Sequence, residues 1–393
     1  MSAREVVMIR FGEIFLKGDN RHLFERRLVD NCERAIAHVE GAKIERQRGR
    51  LFVWPGAAGT APLERSLKRV FGIASLSPAR VVERKLTAIE QTAIEVARLQ
   101  TEQGKRSFKV ESRRADKQFV PASPEISRQV GAAIVGALGL PVDVHTPDFT
   151  VGVEIGLEHA MVFSAIVAGP GGLPVGSTGK VELLLSGGID SPVAGWLMLK
   201  RGCELSATYF HSFPYTGDKT KEKVITLASK LAGWQLQPLT LTIVPLTEAQ
   251  KALRGLDEEG RLAVVLYRRM MVRIAEVIAR ERGARALVTG EALAQVASQT
   301  LENMSVIDEV AELPILRPCL AHDKVETIAM ARRIDTYETS ILPYDDCCSL
   351  FVPDHPETRA HLERVQRLES RLDIAALVSD CVSRREMITV PAK

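Results

Sequence analysis

The sequence predicts an α/β protein in which a doubly wound domain with a parallel sheet follows two smaller α+β units. Three observations favour this fold class. The chain opens with strand and helix patterns in the order β-α-β-β-α, and its second half alternates apolar strands with helices. Between these parts, residues 169–179 are rich in glycine and proline and have almost no apolar periodicity, which is typical of a linker.

The two smaller units are expected at residues 1–75 and 76–168. The first has the element order of a ferredoxin-like unit, with strands predicted at 6–11, 43–48 and 51–54 and helices at 21–39 and 62–71. In the second unit, Ser123 is expected to cap a helix that has Pro124 in its first turn. Its patterns predict strands at 79–84, 107–112, 149–155 and 161–165, and helices at 87–100 and 123–138.

The doubly wound domain is expected at residues 180–393. Its predicted strands lie near Leu183 and at 206–210, 239–244 and 286–289, and its helices at 192–200, 219–231, 262–281 and 324–333. In such a sheet, ligands bind beyond the carboxyl ends of the strands. The residues that follow each strand are therefore the candidate site residues.

Length and composition fit a globular protein of two or three domains, since 393 residues provide ample chain for separate cores. No apolar run is long enough to cross a membrane, and residues 1–10 lack the apolar centre of a signal peptide, so a cytoplasmic location is expected. The six cysteines have the spacing of neither a disulfide framework nor a CxxC zinc site.

Charge is distributed unevenly along the chain. Residues 1–120 hold 24 Lys and Arg against 15 Asp and Glu, whereas residues 181–393 hold 26 against 29. A basic N-terminal part and a nearly neutral C-terminal part favour binding of a polyanion by the first and catalysis by the second. The alternative is a solvated basic surface without a partner.

The stretch 183–191, Leu-Leu-Leu-Ser-Gly-Gly-Ile-Asp-Ser, reads as a buried strand that turns sharply into a helix. Such a turn leaves backbone N–H groups pointing at an anion, and two glycines let the backbone approach it closely. We expect this loop to hold the pyrophosphate part of ATP. The nearby Gly179-Lys180 does not make a Walker A loop. That pattern needs a glycine five residues before the Gly-Lys pair, where Pro174 stands, and Ser or Thr after it, where Val181 stands. The alternative is an ordinary strand-to-helix turn.

Other strand ends carry polar or aromatic residues that suit a nucleotide. Tyr209 and Phe210 offer rings that could hold adenine, although an aromatic run is more often core. Either Arg268 or its neighbour Arg269 could reach a phosphate or ribose, the alternative being that both are solvated. Gly290-Glu291, the segment 295–300 and the segment 322–324 complete these candidates.

The Ser-Gly-Gly-Ile-Asp-Ser loop resembles the PP-loop of the ATP pyrophosphatase superfamily. Together with residues 12–21, Arg113 to Lys117, Gly290-Glu291, 295–300 and 344–348, it makes the chain similar over almost its full length to the ThiI family of tRNA 4-thiouridine synthetases. The resemblance implies a ferredoxin-like domain, a THUMP RNA-binding domain and a PP-loop ATP pyrophosphatase domain, in that order.

The resemblance also implies the reaction and its residues. ATP adenylates O4 of the uridine at position eight of tRNA, and sulfur then displaces AMP to give 4-thiouridine. Asp190 and Lys324 match positions needed for adenylation, with Mg²⁺ as the cation that Asp190 would help to hold. The positions matched to ATP contacts are Leu184, Leu185, Ser186, Gly187, Gly188, Asp190, Ser191, Tyr209, Phe210, Arg268, Gly290 and Gln299.

The adjacent cysteines Cys347 and Cys348 match the persulfide carrier, and alignment favours Cys348. The alternative is an inert pair, since Asp345 and Asp346 would raise the thiol pKa. Some family members carry a C-terminal rhodanese domain, and we expect none here. A cysteine desulfurase is then the expected sulfur donor, and a role in thiamine thiazole synthesis becomes doubtful. Asp335 stands where the family's glycine is expected.

Two other functions remain open to test: another tRNA-thiolating or adenylating PP-loop ligase, and an RNA-binding protein with an inactive nucleotide domain. RNA recognition is expected to depend on shape and phosphate contacts. The oligomeric state is undetermined, a homodimer being one option. Candidate RNA contacts are Lys17, Arg21, Arg113, Arg114 and Lys117.

Overall fold

A computed structural model describes residues 4–47, 49–257, 259–344 and 355–392. The chain forms two compact units, Met1–Leu173 and Pro174–Lys393, so the division falls inside the glycine-rich stretch 169–179. In the described part of the chain, no helix combines the length and the apolar composition that a membrane span requires. Cys347 and Cys348 lie outside the described residues.

The first unit is built on one sheet, whose strand order is β2-β3-β1-β4-β7-β6-β5 with β8 beside β4. Buried apolar side chains of α3 and α4 pack against β6. The elements in chain order are β1 (Arg4–Phe11), α1 (Arg21–Ile36), β2 (Lys43–Gln47), β3 (Arg50–Trp54), α2 (Thr60–Leu67), β4 (Ile73–Val82), α3 (Leu86–Glu102), β5 (Phe108–Arg114), α4 (Ser123–Leu138), β6 (Phe149–Ile155), β7 (Ala160–Phe163) and β8 (Val167–Ala168).

Strand β4 crosses the predicted boundary between residues 75 and 76. It pairs antiparallel with β1 from Ile73 to Val81, and near its end Arg80 also pairs with Val162 of β7. The ferredoxin-like and second α+β parts therefore share one continuous sheet. The sequence pattern missed the first residues of β4 because Ser75 and Ser77 interrupt its apolar run.

One local expectation needs correction, and the backbone accounts for a second observation. Ser123 is the first helical residue of α4 and not its cap; Ala122 holds the cap position, with extended backbone and no side-chain hydrogen bond. Asp335, which follows the helix 324–333, has φ +62°, a conformation that favours glycine. Aspartate tolerates this region better than most residues, and its carboxylate pairs with Lys230 Nζ at 3.0 Å. The backbone thus explains why a glycine is expected there.

The second unit contains a six-stranded sheet in the order β13-β12-β9-β10-β11-β14. All neighbours are parallel except β14, which runs antiparallel to β11 at the edge. The elements are β9 (Gly179–Leu184), α5 (Asp190–Lys200), β10 (Cys203–His211), α6 (Asp218–Gln235), β11 (Leu239–Pro245), α7 (Thr247–Arg254), α8 (Ala263–Glu281), β12 (Leu287–Val288), α9 (Leu301–Asp308), β13 (Ile315–Leu316), α10 (Lys324–Arg333), α11 (Tyr337–Ser340), α12 (Leu362–Glu369), α13 (Ile374–Ser383) and β14 (Glu386–Val390).

The strand order places a topological switch point between β9 and β12. From β9 the chain moves to β10 and β11 on one side of the sheet, and it returns later to β12 on the other side. Loops that leave β9 and β12 diverge there and open a crevice at the carboxyl edge. The fold therefore puts the Ser-Gly-Gly loop beside Gly290.

Candidate nucleotide-binding site

A cavity of about 520 Å³ lies at the switch point between β9 and β12. Seven of its lining residues are positions matched to ATP contacts: Leu184, Ser186, Asp190, Ser191, Arg268, Gly290 and Gln299. Five more belong to the candidate strand end and the segment that follows it: Thr289, Glu291, Val296, Ala297 and Ser298. Only Val264 and Pro356 of the lining residues were not singled out from the sequence. A volume of several hundred cubic ångströms is within the usual range for small-molecule and cofactor sites.

Two serines hold the loop between β9 and α5 in shape. Ser191 Oγ accepts a hydrogen bond from the Ser186 backbone N–H at 2.9 Å, and Ser186 Oγ accepts one from the Gly188 N–H at 3.2 Å. Gly187 packs closely on Lys223, since a Cβ at that position would lie 3.3 Å from Lys223 Cε. The loop is therefore compact, and α5 starts at Asp190 with its N-terminus facing the crevice.

Gly290 brings the end of β12 into direct backbone contact with the start of α5. A Cβ at Gly290 would lie 2.5 Å from Ser191 N and 2.6 Å from the Asp190 carbonyl carbon. No side chain fits at that distance, so this approach requires glycine. The close contact closes the floor of the crevice.

Asp190 and Lys324 meet across the site. Lys324 Nζ donates to both Asp190 carboxylate oxygens at 2.9 Å, and Gln295 Nε2 lies 3.5 Å from Oδ2. A reciprocal capping box between Asp323 and Glu326 fixes the start of α10, where Lys324 is the first residue. The pair is partly exposed, which leaves both groups accessible to a ligand.

Arg268 and Arg269, the two arginines left open by the sequence, have different surroundings. Arg268 lines the cavity and pairs with the buried carboxylate of Glu291, which also accepts from Arg317 Nε at 2.8 Å. Burial alone would raise the pKa of Glu291, but the charges of Arg268 and Arg317 outweigh it and lower that pKa to about 2. Arg269 is buried and pairs with Glu369. The alternative that both arginines are solvated is therefore wrong, since Arg269 is buried and Arg268 is only partly exposed.

The rings of Tyr209 and Phe210 do not face the cavity. Both are buried in β10, and Phe210 packs in the core with Val244 and Leu246. Successive side chains of a central parallel strand point to opposite faces, and helices cover both faces. Neither residue is among those that line the cavity, and their contact with adenine stays a prediction; both stand near the carboxyl end of the strand.

The remaining predicted residues divide by position. Leu185 is buried at the end of the leucine run, and Gly187 and Gly188 lie in the loop itself without lining the cavity. Among the residues that the sequence analysis missed, Val264 lies four residues before Arg268 in the same helix, so helical periodicity places both on one face and could have identified it. Pro356 has no such local signal, because it reaches the cavity only when distant segments of the chain pack together.

Four free cysteines, Cys32, Cys203, Cys319 and Cys381, occur in the described ranges, and all are buried. Cys319 Sγ lies 3.9 Å from the Asp190 carbonyl oxygen. Burial and the charge of Asp190 raise the pKa of the Cys319 thiol to about 12, and burial raises that of Cys381 to about 11. Both thiols are therefore protonated at neutral pH and poor nucleophiles.

The candidate RNA contacts belong to the first unit. Arg21 lies over the Phe15 ring at 4.3 Å and donates to Glu25, whereas Lys17 lies over Phe24 at 5.1 Å. Arg114 donates to the Phe119 carbonyl and, at 3.3 Å, to the Pro121 carbonyl, so it holds the loop that follows β5. Arg113 and Lys117 are exposed.

Comparison with known families divides the chain in the same order as the sequence prediction. The family described as "Thiamine biosynthesis protein (ThiI)" matches residues 176–374. The ThiI ferredoxin-like domain matches residues 6–77, and the THUMP domain matches residues 83–165. The predicted fold class is confirmed.

Curated relatives and a solved structure extend the similarity to the whole chain. A probable tRNA sulfurtransferase of Halothermothrix orenii is 44% identical over 98% of this chain and 99% of its own length. That of Moorella thermoacetica is 47% identical over 98% and 97%. The crystal structure of a 4-thiouridine synthetase–RNA complex with bound ATP has a TM-score of 0.90 and 40% identity over 98% of this chain and 100% of that one. The chain belongs to the ThiI family.

Proposed function

We propose that this chain is an ATP-dependent tRNA sulfurtransferase that converts the uridine at position eight of tRNA into 4-thiouridine. The observation that carries the proposal is the contact of Lys324 with Asp190, a residue that lines the cavity, in a chain of the ThiI family. Relatives named as tRNA sulfurtransferases and a 4-thiouridine synthetase with bound ATP and RNA support the reaction and both substrates.

The first step would be adenylation of the base. O4 of the uridine attacks the α-phosphorus of ATP, a new O–P bond forms, and pyrophosphate leaves with the electrons of the broken P–O bond. Negative charge grows on the phosphate oxygens in the transition state, and a fixed ammonium stabilises it. Lys324 is held for this task by Asp190, while backbone N–H groups at the start of α5 would receive the phosphates.

Asp190 also fits a role in holding Mg²⁺. Among the described residues no group of three or more His, Cys, Asp or Glu side chains could enclose a metal ion. Magnesium bound to nucleotides usually needs only one or two protein carboxylates, because the phosphates and water supply the other ligands. Bound there, Mg²⁺ would neutralise charge on the phosphates.

The second step would exchange oxygen for sulfur. The outer sulfur of a persulfide on Cys348 attacks C4 of the adenylated base, the C4–O bond breaks, and AMP leaves. The thiolate of Cys347 then attacks Cys348 Sγ, so that the bond between the two sulfurs of the former persulfide breaks, 4-thiouridine leaves and a Cys347–Cys348 disulfide forms. The buried, protonated thiols of Cys319 and Cys381 are unsuited to carry sulfur, which supports the adjacent pair as carrier. A cysteine desulfurase would load the persulfide. Since tRNA and ATP occur together in the cytoplasm, we place the enzyme there.

The first unit would bind tRNA, through exposed cations such as Arg113 and Lys117. The decisive experiment incubates tRNA with the protein, ATP, Mg²⁺ and a cysteine desulfurase, and then measures the modified nucleosides. We expect 4-thiouridine at position eight, and none without ATP. ATP-dependent pyrophosphate release on tRNA without 4-thiouridine would instead indicate a different adenylating ligase.

A further inference from the structure

Asn303, in α9, is buried and uses its side-chain amide fully on backbone groups. Its Nδ2 donates to the Ala297 carbonyl and to the Glu357 carbonyl, both at 2.7 Å. Its Oδ1 accepts from the Ala360 N–H at 2.9 Å. The side chain is 0% exposed, so water cannot replace any of these partners.

The three hydrogen bonds join two strips of chain, residues 297–303 and residues 355–360, which are distant in sequence and adjacent at the cavity. Ala297 lines the cavity itself, and Glu357 follows Pro356, which lines it from the other strip. Thr300 adds a second link, because its Oγ1 donates to the Thr358 carbonyl at 2.8 Å and accepts from the Asn303 N–H at 3.2 Å. Thr300 and Asn303 together therefore link the two strips.

We infer that Asn303 is a positioning residue for ATP, which sets the separation of the two strips and so the width of the cavity. The inference rests on the proposed function only in taking ATP as the occupant. An amide suits this position because it supplies two donors toward carbonyl oxygens and one acceptor toward an N–H. An aspartate at this position would place a carboxylate oxygen against the carbonyl oxygens of Ala297 and Glu357, where no hydrogen bond can form and the oxygens repel.

The hydrogen bonds of Thr300 and Asn303 are not needed for the sheet to form, because they join segments that lie outside the strands. The strip 355–360 has another attachment, since the Glu357 N–H donates to the Arg261 carbonyl at 2.9 Å. Loss of the amide donors should therefore let the strips separate locally while the rest of the unit stays folded. Affinity for ATP should fall more than the rate of the chemical step.

The test compares Asn303→Asp with the wild-type full chain by equilibrium binding of ATP and by steady-state pyrophosphate release with tRNA. We expect the Kd and the KM for ATP to rise about tenfold, with kcat within about threefold of the wild-type value. Gln366→Glu is the matched control: it also changes an amide to a carboxylate, at an exposed residue that donates to Glu309 at 3.0 Å. It should leave the Kd unchanged.

A second pair of variants covers the case in which Asn303→Asp does not fold. Thr300→Val removes the hydroxyl and should raise the Kd for ATP, and Thr300→Ser should restore it. A folded Asn303→Asp protein with unchanged Kd and KM, or equal Kd values for the Val and Ser variants, would overturn the inference. Wild-type protein that binds ATP but releases no pyrophosphate would instead count against the proposed reaction, and the Kd values would still decide the role of Asn303.

Discussion

The ammonium nitrogen of Lys324 lies 2.9 Å from each carboxylate oxygen of Asp190. The two residues are 134 positions apart in sequence and stand in the first turns of α10 and α5. Both helices therefore start at the same crevice. A cation at a helix N-terminus is normally unfavourable, so its placement there, paired with an acid, suits a site that receives phosphate.

Replacing Lys324 by methionine should abolish adenylation without unfolding the protein. Pyrophosphate release with tRNA should fall by about 10²-fold or more, because a positioned cation is lost from the transition state. The thermal midpoint should hardly move, since a partly exposed pair contributes only about 0–1 kcal/mol. If activity falls only in proportion to the folded fraction, the assigned role of Lys324 is wrong.

Replacing Gly290 by alanine should distort the floor of the cavity. The new Cβ would lie 2.5 Å from Ser191 N, so the backbone must shift, at a cost of about 1–3 kcal/mol. Urea unfolding and ATP binding should both report the loss. Gly136→Ala is the control, because that Cβ meets no atom within 4 Å and a helical alanine is favourable.

Replacing Glu291 by glutamine should destabilise the second unit by about 3 kcal/mol or more, because Arg268 and Arg317 lose the charge between them. The pKa of Glu291 is lowered in the folded protein from 4.5 to about 2. The contribution of its ionisation to stability is therefore complete above pH 4.5 and is lost as the pH falls toward 2. Urea unfolding of the wild type and the Glu291→Gln variant should show that the difference in their free energies of unfolding becomes smaller as the pH falls through that range. A difference that stays constant would contradict this assignment.

Replacing Cys348 by serine should separate the two proposed steps. Pyrophosphate release with tRNA should continue, whereas formation of 4-thiouridine should stop, because adenylation needs no thiol and sulfur transfer does. Cys381→Ala should retain both steps, since the thiol of Cys381 is buried and protonated. Thiolation that survives in the Cys348→Ser variant and stops in Cys347→Ser would reverse the assignment within the pair.

Replacing Arg113 by alanine should weaken tRNA binding in a salt-dependent way. Removal of one phosphate contact lowers the slope of log affinity against log salt by about one. Arg114→Ala should act differently, by loosening the loop that its guanidinium holds through Phe119 and Pro121. Filter binding at several salt concentrations, with thermal unfolding alongside, distinguishes these effects. Equal salt slopes for wild type and Arg113→Ala would exclude Arg113 as a phosphate contact.

The parts that the sequence predicts well are those that depend on neighbours along the chain. The helix 324–333 and the strand 149–155 have the predicted bounds, because periodicity and flanking turns act locally. The Ser-Gly-Gly loop is also local, since its serines bond within five residues of each other. Its place at the switch point follows from strand order, which the alternating pattern suggests.

The parts that the sequence does not predict depend on pairing between distant segments. Nothing near Asn303 shows that its amide will meet Glu357, and nothing near Glu291 shows that it will lie between two arginines. The sequence leaves Tyr209 and Phe210 open between core packing and contact with adenine, because their burial depends on helices that cover both faces of β10. The short strand β13 has only two residues, too few for any pattern.

Strand β14 has a consequence for biosynthesis. It pairs with β11 from Glu386 to Val390, and Lys221 holds it through Glu386 at 2.6 Å. Until the ribosome has delivered these residues, the ladder groups of β11 on that side have no strand to bond, and an open strand edge recruits other chains. The nascent second unit therefore keeps an open strand edge until residues 386–390 can pair with β11.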